Sequence, residues 1–291
     1  MFTYETIHKS LPGAEENLQT HITGFEGEVN FLKVPSAIEG MTVTGIAARA
    51  FADRKDVQEV QLPETVTMLG GFAFHNCTAL RKLTLHNTVT NYSDGFIKGC
   101  RALTEVTMLV DAPKEGASFE AVKRLLADTD VVIRFRFVYE EGKASEVALL
   151  TFPDYLNEAQ EDTRARAIHQ TIEGAGYAYR ECVRRGEIDY AGYDALFDRV
   201  RQIAPVTAED IAMNRLMTPY RLYEAARKMY ADFLTQRTEA MLQRLIKAQD
   251  TEGIRFLAGA HLLNFSLLDA PIEAASKAGQ AQVVALLMNY R

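Results

Sequence analysis

The residues best suited to chemistry in this 291-residue chain are three cysteines and six histidines. Their spacing matches no common metal site, because the sequence contains no CxxC pair, no HExxH pattern and no closely spaced histidine pair. Cys182 falls within a predicted helix and has no recognisable histidine partner, so we expect it to be packed rather than nucleophilic. Cys77 and Cys100 stand 23 residues apart; we interpret them as small apolar side chains in a reduced core, with a disulfide or a shared metal as the alternative.

Two further patterns could serve catalysis or ligand binding, and a structural interpretation is favoured for each. His169 and Glu173 would lie one turn apart on a helix and could share a metal with distant ligands, but an ordinary polar pair is the simpler account. Gly174-Ala-Gly176 has the glycines of a phosphate loop without a preceding strand or a following Lys-Ser/Thr, which predicts a break between helices. The sequence therefore predicts no catalytic residues, no metal and no cofactor.

Composition and charge argue against two classes of binding partner, nucleic acids and membranes. The formal net charge is −7 and the isoelectric point is near 5.5, which argues against a nucleic-acid partner bound through broad phosphate neutralisation. The N-terminus lacks the basic start and continuous apolar core of a signal peptide, and no run approaches the roughly 18 apolar residues that span a bilayer. We therefore expect a cytoplasmic protein that does not insert into membranes.

A template repeated every 23 residues organises the first third of the chain. Six apolar columns stay in register across three copies: Ile46/Leu69/Tyr92, Ala50/Ala73/Phe96, Phe51/Phe74/Ile97, Val57/Leu80/Leu103, Val60/Leu83/Val106 and Leu62/Leu85/Met108. Such a repeat predicts a solenoid, in which each unit buries its apolar edge against its neighbours. Because solenoids mostly provide binding surfaces, the repeat favours an interaction protein over an enzyme.

Residues 34–108 resemble the bacterial BspA-type leucine-rich repeat family. The motif of that family is an Ala-Phe pair, a cysteine three residues after the phenylalanine, and a Leu-x-x-Ile/Val-x-Leu strand, and the segment from Ala73 through Cys77 to Leu85 matches it closely. The third copy loses the Ala-Phe pair, and the register is lost after Met108. The resemblance implies a bacterial horseshoe or rod with a parallel strand face that often binds proteins. Many members are cell-surface proteins, a location that we do not carry over because no export signal is predicted.

The outward positions of the repeated strand are the candidate binding residues. Strand periodicity places alternate side chains on opposite faces, so the residues between the apolar columns point outward. They are Glu59, Gln61, Lys82, Thr84, Glu105 and Thr107. Four units at about 4.8 Å each offer on the order of 200 Å², whereas a stable interface takes about 800 Å² from each partner. We therefore expect contact to extend beyond these residues, or binding to be weak, or the repeats to serve mainly as a scaffold.

Beyond the repeats the sequence predicts a short helix, a hairpin and then helices. Ser118 is a candidate cap for a helix through Ala127, and alternating apolar residues in 131–139 and 147–152 predict a β-hairpin that covers the edge of the repeats. The helices expected after residue 153 are Thr163–Glu173, Tyr177–Arg185, Tyr190–Gln202 capped by Asp189, a segment from Thr207 to Met217, and one starting at Thr218-Pro219. The segment Pro271–Leu287 resembles an ankyrin helix pair. Seven tyrosines in this half are interpreted as core, with a recognition surface as the alternative.

The sequence therefore predicts an α+β chain in three parts. Residues 1–110 would form a leucine-rich repeat solenoid with an N-terminal cap, residues 111–152 a linker helix and hairpin, and residues 153–291 an all-α domain that is ankyrin-like at 239–291. The predicted function is protein–protein interaction or scaffolding without catalysis. An enzyme with a pocket at the junction of repeats and helices, or an exported surface adhesin, are the alternatives.

Overall fold

The computed structural model describes residues 1–9, 17–111, 118–141, 144–162, 167–263 and 268–291. The chain divides into two compact units, Met1–Ile203 and Ala204–Arg291. This division does not coincide with the boundaries predicted at residues 110 and 152, because residues 153–203 belong to the first unit.

Fourteen strands are described, all of them in the first unit. They are β1 (Phe2–Lys9), β2 (Asn17–Phe25), β3 (Phe31–Lys33), β4 (Ala37–Ile38), β5 (Met41–Ile46), β6 (Glu59–Gln61), β7 (Met68–Leu69), β8 (Lys82–His86), β9 (Asn91–Tyr92), β10 (Glu105–Asp111), β11 (Ile133–Glu141), β12 (Ala144–Phe152), β13 (Tyr155–Asp162) and β14 (Ala167–Gly174).

The 23-residue template appears as parallel strand pairing in one six-stranded sheet, with strand order β12-β11-β10-β8-β6-β3. Val60 of β6 pairs with Leu83 of β8, which pairs with Val106 of β10, so consecutive strands are offset by one repeat. These three side chains are almost fully buried. The predicted register of the apolar columns is therefore confirmed at the level of individual strand pairs.

A second sheet has the strand order β1-β2-β5-β7-β9, with β4 paired to β5, and its strands β5, β7 and β9 come from the same repeats. Ile46, Leu69 and Tyr92 pair in parallel across β5, β7 and β9, one repeat apart. Between the sheets, the Phe74 ring packs between Phe51 and Phe96, with ring centroids 4.8 Å and 5.2 Å away. Each repeat thus buries its apolar residues against the next.

The turns behind the strands repeat as closely as the strands do. Asp53, Asn76 and Gly99 occupy one column and all adopt positive φ, at 64°, 58° and 85°. Asparagine, aspartate and glycine are the residues that tolerate this left-handed conformation best. The Asn76 amide also donates a hydrogen bond of 2.6 Å to Asp53, which ties two neighbouring turns together.

The predicted hairpin is confirmed and extends the first sheet. β11 pairs in parallel with β10, and β12 pairs antiparallel with β11 from Ile133↔Phe152 to Glu141↔Ala144. Residues 142 and 143 of the predicted turn lie outside the described residues. The hairpin supplies hydrogen-bond partners for the edge of β10, which a repeat strand would otherwise leave unpaired.

The helix predicted at Thr163–Glu173 is wrong, because Ala167–Gly174 forms strand β14, antiparallel to β13; residues 163–166 lie outside the described residues. Ile168 and Ile172 share a face both on a helix and on a strand, so their spacing fits either structure. Pairing with β13 selects the strand. The all-α composition expected for residues 153–291 is therefore wrong at residues 155–162 and 167–174.

Nine helices are described: α1 (Glu120–Ala127), α2 (Gly176–Glu181), α3 (Tyr190–Ala195), α4 (Phe197–Ile203), α5 (Pro205–Met217), α6 (Glu224–Ala248), α7 (Thr251–Gly259), α8 (Asp269–Lys277) and α9 (Ala281–Met288). The Asp189 cap is confirmed, since its carboxylate accepts a hydrogen bond of 2.8 Å from the Gly192 amide.

Two predicted helix starts are wrong. Pro205 occupies the first turn of α5, so Thr207 lies inside the helix instead of capping it. Pro219 precedes a turn in which Arg221 has φ of 48°, and α6 begins only at Glu224. The helix expected at Tyr177–Arg185 is also shorter than predicted, because α2 ends at Glu181 and Val183 forms a bridge with Ile188.

Arg180 of α2 joins three segments of the first unit. Its buried guanidinium donates hydrogen bonds to backbone carbonyls of Leu126, Thr129, Val131, Pro153 and Gly176 and lies 4.7 Å from the centre of the Tyr155 ring. Burial lowers the pKa of Arg180 to about 10, which leaves it protonated at neutral pH. The carbonyls that end α1 and lead into β11 and β13 are therefore held by one side chain.

Candidate functional site

The six predicted binding residues lie together on the outward side of the first sheet. Glu59, Lys82 and Glu105 pair along one row, and Gln61, Thr84 and Thr107 pair along the next. Each row crosses β6, β8 and β10, and all six side chains are at least partly exposed. The structure thus brings the candidates together, as the strand periodicity predicts.

The same rows continue onto two strands outside the 23-residue template. Strand β3 adds Phe31 and Lys33, which pair with Glu59 and Gln61, and strand β11 adds Arg134 and Arg136, which pair with Glu105 and Thr107. We call the row Phe31, Glu59, Lys82, Glu105 and Arg134 the charged row, the row Lys33, Gln61, Thr84, Thr107 and Arg136 the polar row, and both together the strand face. The sequence pattern already placed Arg134 and Arg136 opposite the apolar residues of β11, which was the available signal for extending the site.

Charge on the strand face differs in sign from that of the whole chain. The face carries four basic and two acidic side chains, whereas the chain has a net charge of −7. Glu105 forms an ion pair with Arg134, with a nitrogen–oxygen distance of 2.5 Å. Within the described part of the chain, Lys33, Lys82 and Arg136 are exposed and form no ion pair. Three cations on this face are therefore available to a ligand.

On the loop side of the repeats, the cysteines hold neighbouring units together. Both are unbridged, and Cys77 donates to the Phe51 carbonyl while Cys100 donates to the Phe74 carbonyl, at 3.1 Å and 3.0 Å between sulfur and oxygen. The neighbouring Cys77 thiol and burial raise the pKa of the Cys100 thiol, which keeps it protonated. This arrangement supports the interpretation of the two cysteines as core residues.

Arg54 occupies the cysteine column in the first repeat and makes the corresponding contact. Its guanidinium donates to the Phe25 and Gly27 carbonyls at 2.7 Å and 2.6 Å and forms a two-point ion pair with Asp56. Asp56 also accepts a hydrogen bond of 2.7 Å from the Val29 amide. The pair thereby fastens the loop after β2 to the first repeat.

A groove of about 490 Å³ beside the third repeat is the place where converging acids and a histidine could support catalysis. Its lining includes His75, Cys100, Asp128 and Asp130. Asp128 accepts hydrogen bonds from the Tyr92 hydroxyl at 2.8 Å and the Gly95 amide at 3.0 Å, and burial raises its pKa. Cys100 and Asp128 are thus engaged in holding the repeats and α1 together.

The other candidate groups also occupy structural positions. His169 and Glu173 lie on β14 and not on a helix, about 13 Å apart along an extended strand, so the one-turn spacing assumed for a polar pair or a metal pair is wrong. Tyr179, Tyr190, Tyr193 and Tyr230 are buried, as the core interpretation predicts, whereas Tyr177 and Tyr223 are exposed, so for these two it is wrong. Cys182 is buried, and burial raises its pKa to about 11. Within the described ranges, no group of three metal-ligating side chains occurs and no helix is long and apolar enough to cross a bilayer.

The family comparison agrees with this geometry. The family model described as BspA type Leucine rich repeat region (6 copies) matches residues 30–116. That segment is therefore a leucine-rich repeat region of the BspA type, as the sequence resemblance indicates. A comparison with curated proteins gives no match.

Three solved structures of leucine-rich repeat proteins are similar to this chain, each over 38% of its length. A leucine rich cell surface protein from Faecalibacterium prausnitzii A2-165 is 27% identical with a TM-score of 0.29, and the match covers 33% of that chain. The T. pallidum leucine rich repeat protein is 22% identical with a TM-score of 0.32, over 58% of its chain. A leucine-rich repeat protein from Bacteroides ovatus ATCC 8483 is 15% identical with a TM-score of 0.21, over 48% of its chain.

Proposed function

We propose that the repeat region is a short solenoid whose strand face binds a protein partner, and that the chain is a non-catalytic interaction or scaffolding module. The observation that carries the proposal is the strand face itself: ten outward side chains from five paired strands align in two rows. Exposed cations beside partly exposed amide and hydroxyl groups on one face of a sheet are typical of recognition rather than of packing.

The size of the face favours a short segment as the bound element. Five strands at about 4.8 Å each span about 24 Å across the sheet, and two outward residues per strand make the face narrow. This surface is well below the roughly 800 Å² that each partner contributes to a stable globular interface. An extended peptide segment of a partner fits it better than a second folded domain.

The test is affinity capture from cells of the native host with two matched alanine variants. The face variant replaces Glu59, Gln61, Lys82, Thr84, Glu105 and Thr107, and the control variant replaces Thr67, Thr90 and Asn91, which are exposed on or beside the second sheet. We expect proteins enriched by the wild type to be lost with the face variant and kept with the control. Equal enrichment with both variants, measured by quantitative mass spectrometry, would contradict the proposal.

Two narrower parts of the proposal concern the helical unit and the location. The last two helices, α8 and α9, pack on each other around a turn in which Gly279 has φ of 70°, and we propose that they form an ankyrin-like hairpin.

The three buried, unbridged cysteines support a reducing compartment, and we propose that the protein is located in the cytoplasm. Fractionation of the host, with protease treatment of intact cells, tests the location: digestion from outside would contradict it.

A further inference from the structure

We propose that the ligand of the strand face is an extended acidic segment of a partner protein, with acidic side chains about three residues apart, that crosses the strands at right angles. This inference rests on the proposed function and adds the chemistry of the partner. It is carried by the positions of three cations, the positions of two acids between them, and the neutral side chains that surround them.

The spacing of the cations sets the spacing of the acids. Lys33, Lys82 and Arg136 lie on β3, β8 and β11, which are the first, third and fifth strands of the face. With neighbouring strands about 4.8 Å apart, successive cations are about 10 Å apart across the sheet, and Lys82 stands two residues along the strand from the level of Lys33 and Arg136, because it belongs to the charged row. A segment in the extended polyproline II conformation rises about 3.1 Å per residue with three residues per turn, so acids three residues apart lie on one side of it and meet the three cations in turn.

The acidic residues of the face select against a continuous run of acids. Glu59 and Glu105 lie on β6 and β10, the two strands between the cations. Glu105 is neutralised by Arg134, whereas Glu59 has no ion pair within the described residues. An acid opposite either strand would meet a carboxylate or an already paired arginine. Spaced acids with neutral residues between them fit the pattern, and a polyacidic run does not.

The remaining side chains favour a peptide over another polyanion. Gln61, Thr84 and Thr107 form the middle of the polar row and offer hydrogen-bond donors and acceptors to a peptide backbone or to small polar side chains. Phe31 ends the charged row with 48% of its surface exposed and can cover an apolar residue beside the first acid. A nucleic acid would instead favour a uniformly basic surface, which the two glutamates interrupt.

The experiment titrates the full-length protein against fluorine-labelled peptides observed by 19F NMR. The spaced peptide is Leu-Asp-Thr-Thr-Asp-Thr-Thr-Asp, and the clustered peptide has the same composition with its three aspartates adjacent. We expect the spaced peptide to bind with a dissociation constant on the order of 0.1–1 mM, since exposed ion pairs are individually weak. The clustered peptide should bind several-fold more weakly, and salt at about 0.5 M should weaken binding of the spaced peptide.

Charge-reversal variants test whether the spaced peptide binds to the strand face. Lys33→Glu combined with Arg136→Glu should weaken binding of the spaced peptide about tenfold or more, because each change replaces an attraction by a repulsion. The matched control is Lys98→Glu combined with Arg101→Glu, two exposed cations beside the third repeat and outside the face, and it should change the dissociation constant less than twofold. Equal loss with both pairs would overturn the proposal, because it would show attraction to overall charge.

Several outcomes would indicate a different ligand of the strand face, and each of them would overturn the inference. Binding of an eight-nucleotide thymidine oligomer as tight as that of the spaced peptide would show a general polyanion surface. A concentration-dependent dimer in light scattering that the Lys33→Glu/Arg136→Glu variant dissociates would assign the face to a second copy of the chain. If the spaced peptide fails to bind while captured partners still depend on the face, the acidic chemistry is wrong and the proposed function stands. If the partners are also independent of the face, both fail.

Discussion

The Arg54–Asp56 ion pair attaches the segment before the first repeat to the stacked repeats. In later repeats a cysteine thiol donates to a carbonyl of the preceding repeat, whereas at this position of the first repeat the acceptors are the Phe25 and Gly27 carbonyls at and after the end of β2. Arginine reaches further than cysteine and donates to two loop carbonyls, while Asp56 neutralises it and accepts from the Val29 amide. The guanidinium of Arg54 thereby holds the pKa of Asp56 far below its usual value of 3.8.

We expect Asp56→Asn to lower the free energy of unfolding by about 1–2 kcal/mol at pH 7, because a two-point charged pair is lost. A lowered folded-state pKa means that the carboxylate stabilises the protein above its unfolded pKa and loses this effect as the pH falls. The difference between wild type and variant should therefore be constant above about pH 5 and shrink below pH 3.8. Urea unfolding at several pH values measures it.

The control for Asp56→Asn is Glu28→Gln, an exposed acid of the same loop. It should change stability by less than about 0.5 kcal/mol at any pH. A pH dependence in Glu28→Gln as large as that of Asp56→Asn would show that general loop charge, and not the pair, is responsible.

Arg180 is the side chain whose removal we expect to destabilise the region around α1, β11 and β13 most. Arg180→Ala leaves the carbonyls of Leu126, Val131 and Pro153 without their charged donor in a buried site. We expect a loss of about 3 kcal/mol or more in the free energy of unfolding, with Arg180→Lys intermediate because lysine lacks the planar fork. Arg101→Ala, at an exposed arginine, should cost less than about 0.5 kcal/mol. Similar values for the two alanine variants in urea unfolding would contradict this role.

At the scale of the elements, the stacked phenylalanines connect one repeat to the next. Phe74 is fully buried between the rings of Phe51 and Phe96, whereas the nearby Phe72 is 39% exposed. Phe74→Ala should lower the free energy of unfolding by about 3–5 kcal/mol, because it opens a cavity between the rings of the two flanking repeats. Phe72→Ala should cost clearly less in the same denaturant titration. A smaller effect at Phe74 than at Phe72 would contradict stacking as the main source of stability.

The repeat strands could be predicted from the sequence because equivalent positions of each repeat make the same packing contacts. A side chain in an apolar column packs against the corresponding side chain one repeat away. The repeated spacing in the sequence therefore identifies residues that are neighbours in the structure, as at Val60, Leu83 and Val106. The outward residues between the columns follow directly from strand periodicity. The same reasoning extends to the hairpin, since Phe135 and Phe137 alternate with Arg134 and Arg136 as in a repeat strand.

Elements that depend on a single, non-repeated partner could not be predicted in this way. Strand β14 has isoleucine spacing that also fits a helix, and only its pairing with β13 decides between them. Lys33 and Phe31 lie in an irregular first unit with no template copy, so their place on the strand face is visible only from the pairing of β3 with β6. Arg180 makes long-range bonds to carbonyls, which leave no pattern in the sequence.

At the scale of the whole molecule, the chain combines two units with separate cores. The first unit is built on the stacked repeats, and the second, from Ala204 to Arg291, buries its own apolar residues, among them Tyr230, Leu257 and Leu287. In the second unit, Glu209 of α5 is buried and pairs with Arg237 and Arg244 of α6 at 2.7 Å and 3.2 Å. Each unit therefore has the contacts needed to unfold as a cooperative whole.

We accordingly expect calorimetry to show two thermal transitions that mutations move one at a time. Phe74→Ala should lower the transition of the repeat unit, and Leu257→Ala, at a fully buried position of α7, should lower the other by a cavity cost of about 2–5 kcal/mol. The double variant should shift each transition by the amount of its own single substitution, because the two sites lie in separate cores and share no partners. A single transition that either substitution lowers equally would instead show that the repeats and the helices unfold as one body, and the strand face would then owe its rigidity to the whole chain rather than to the repeats alone.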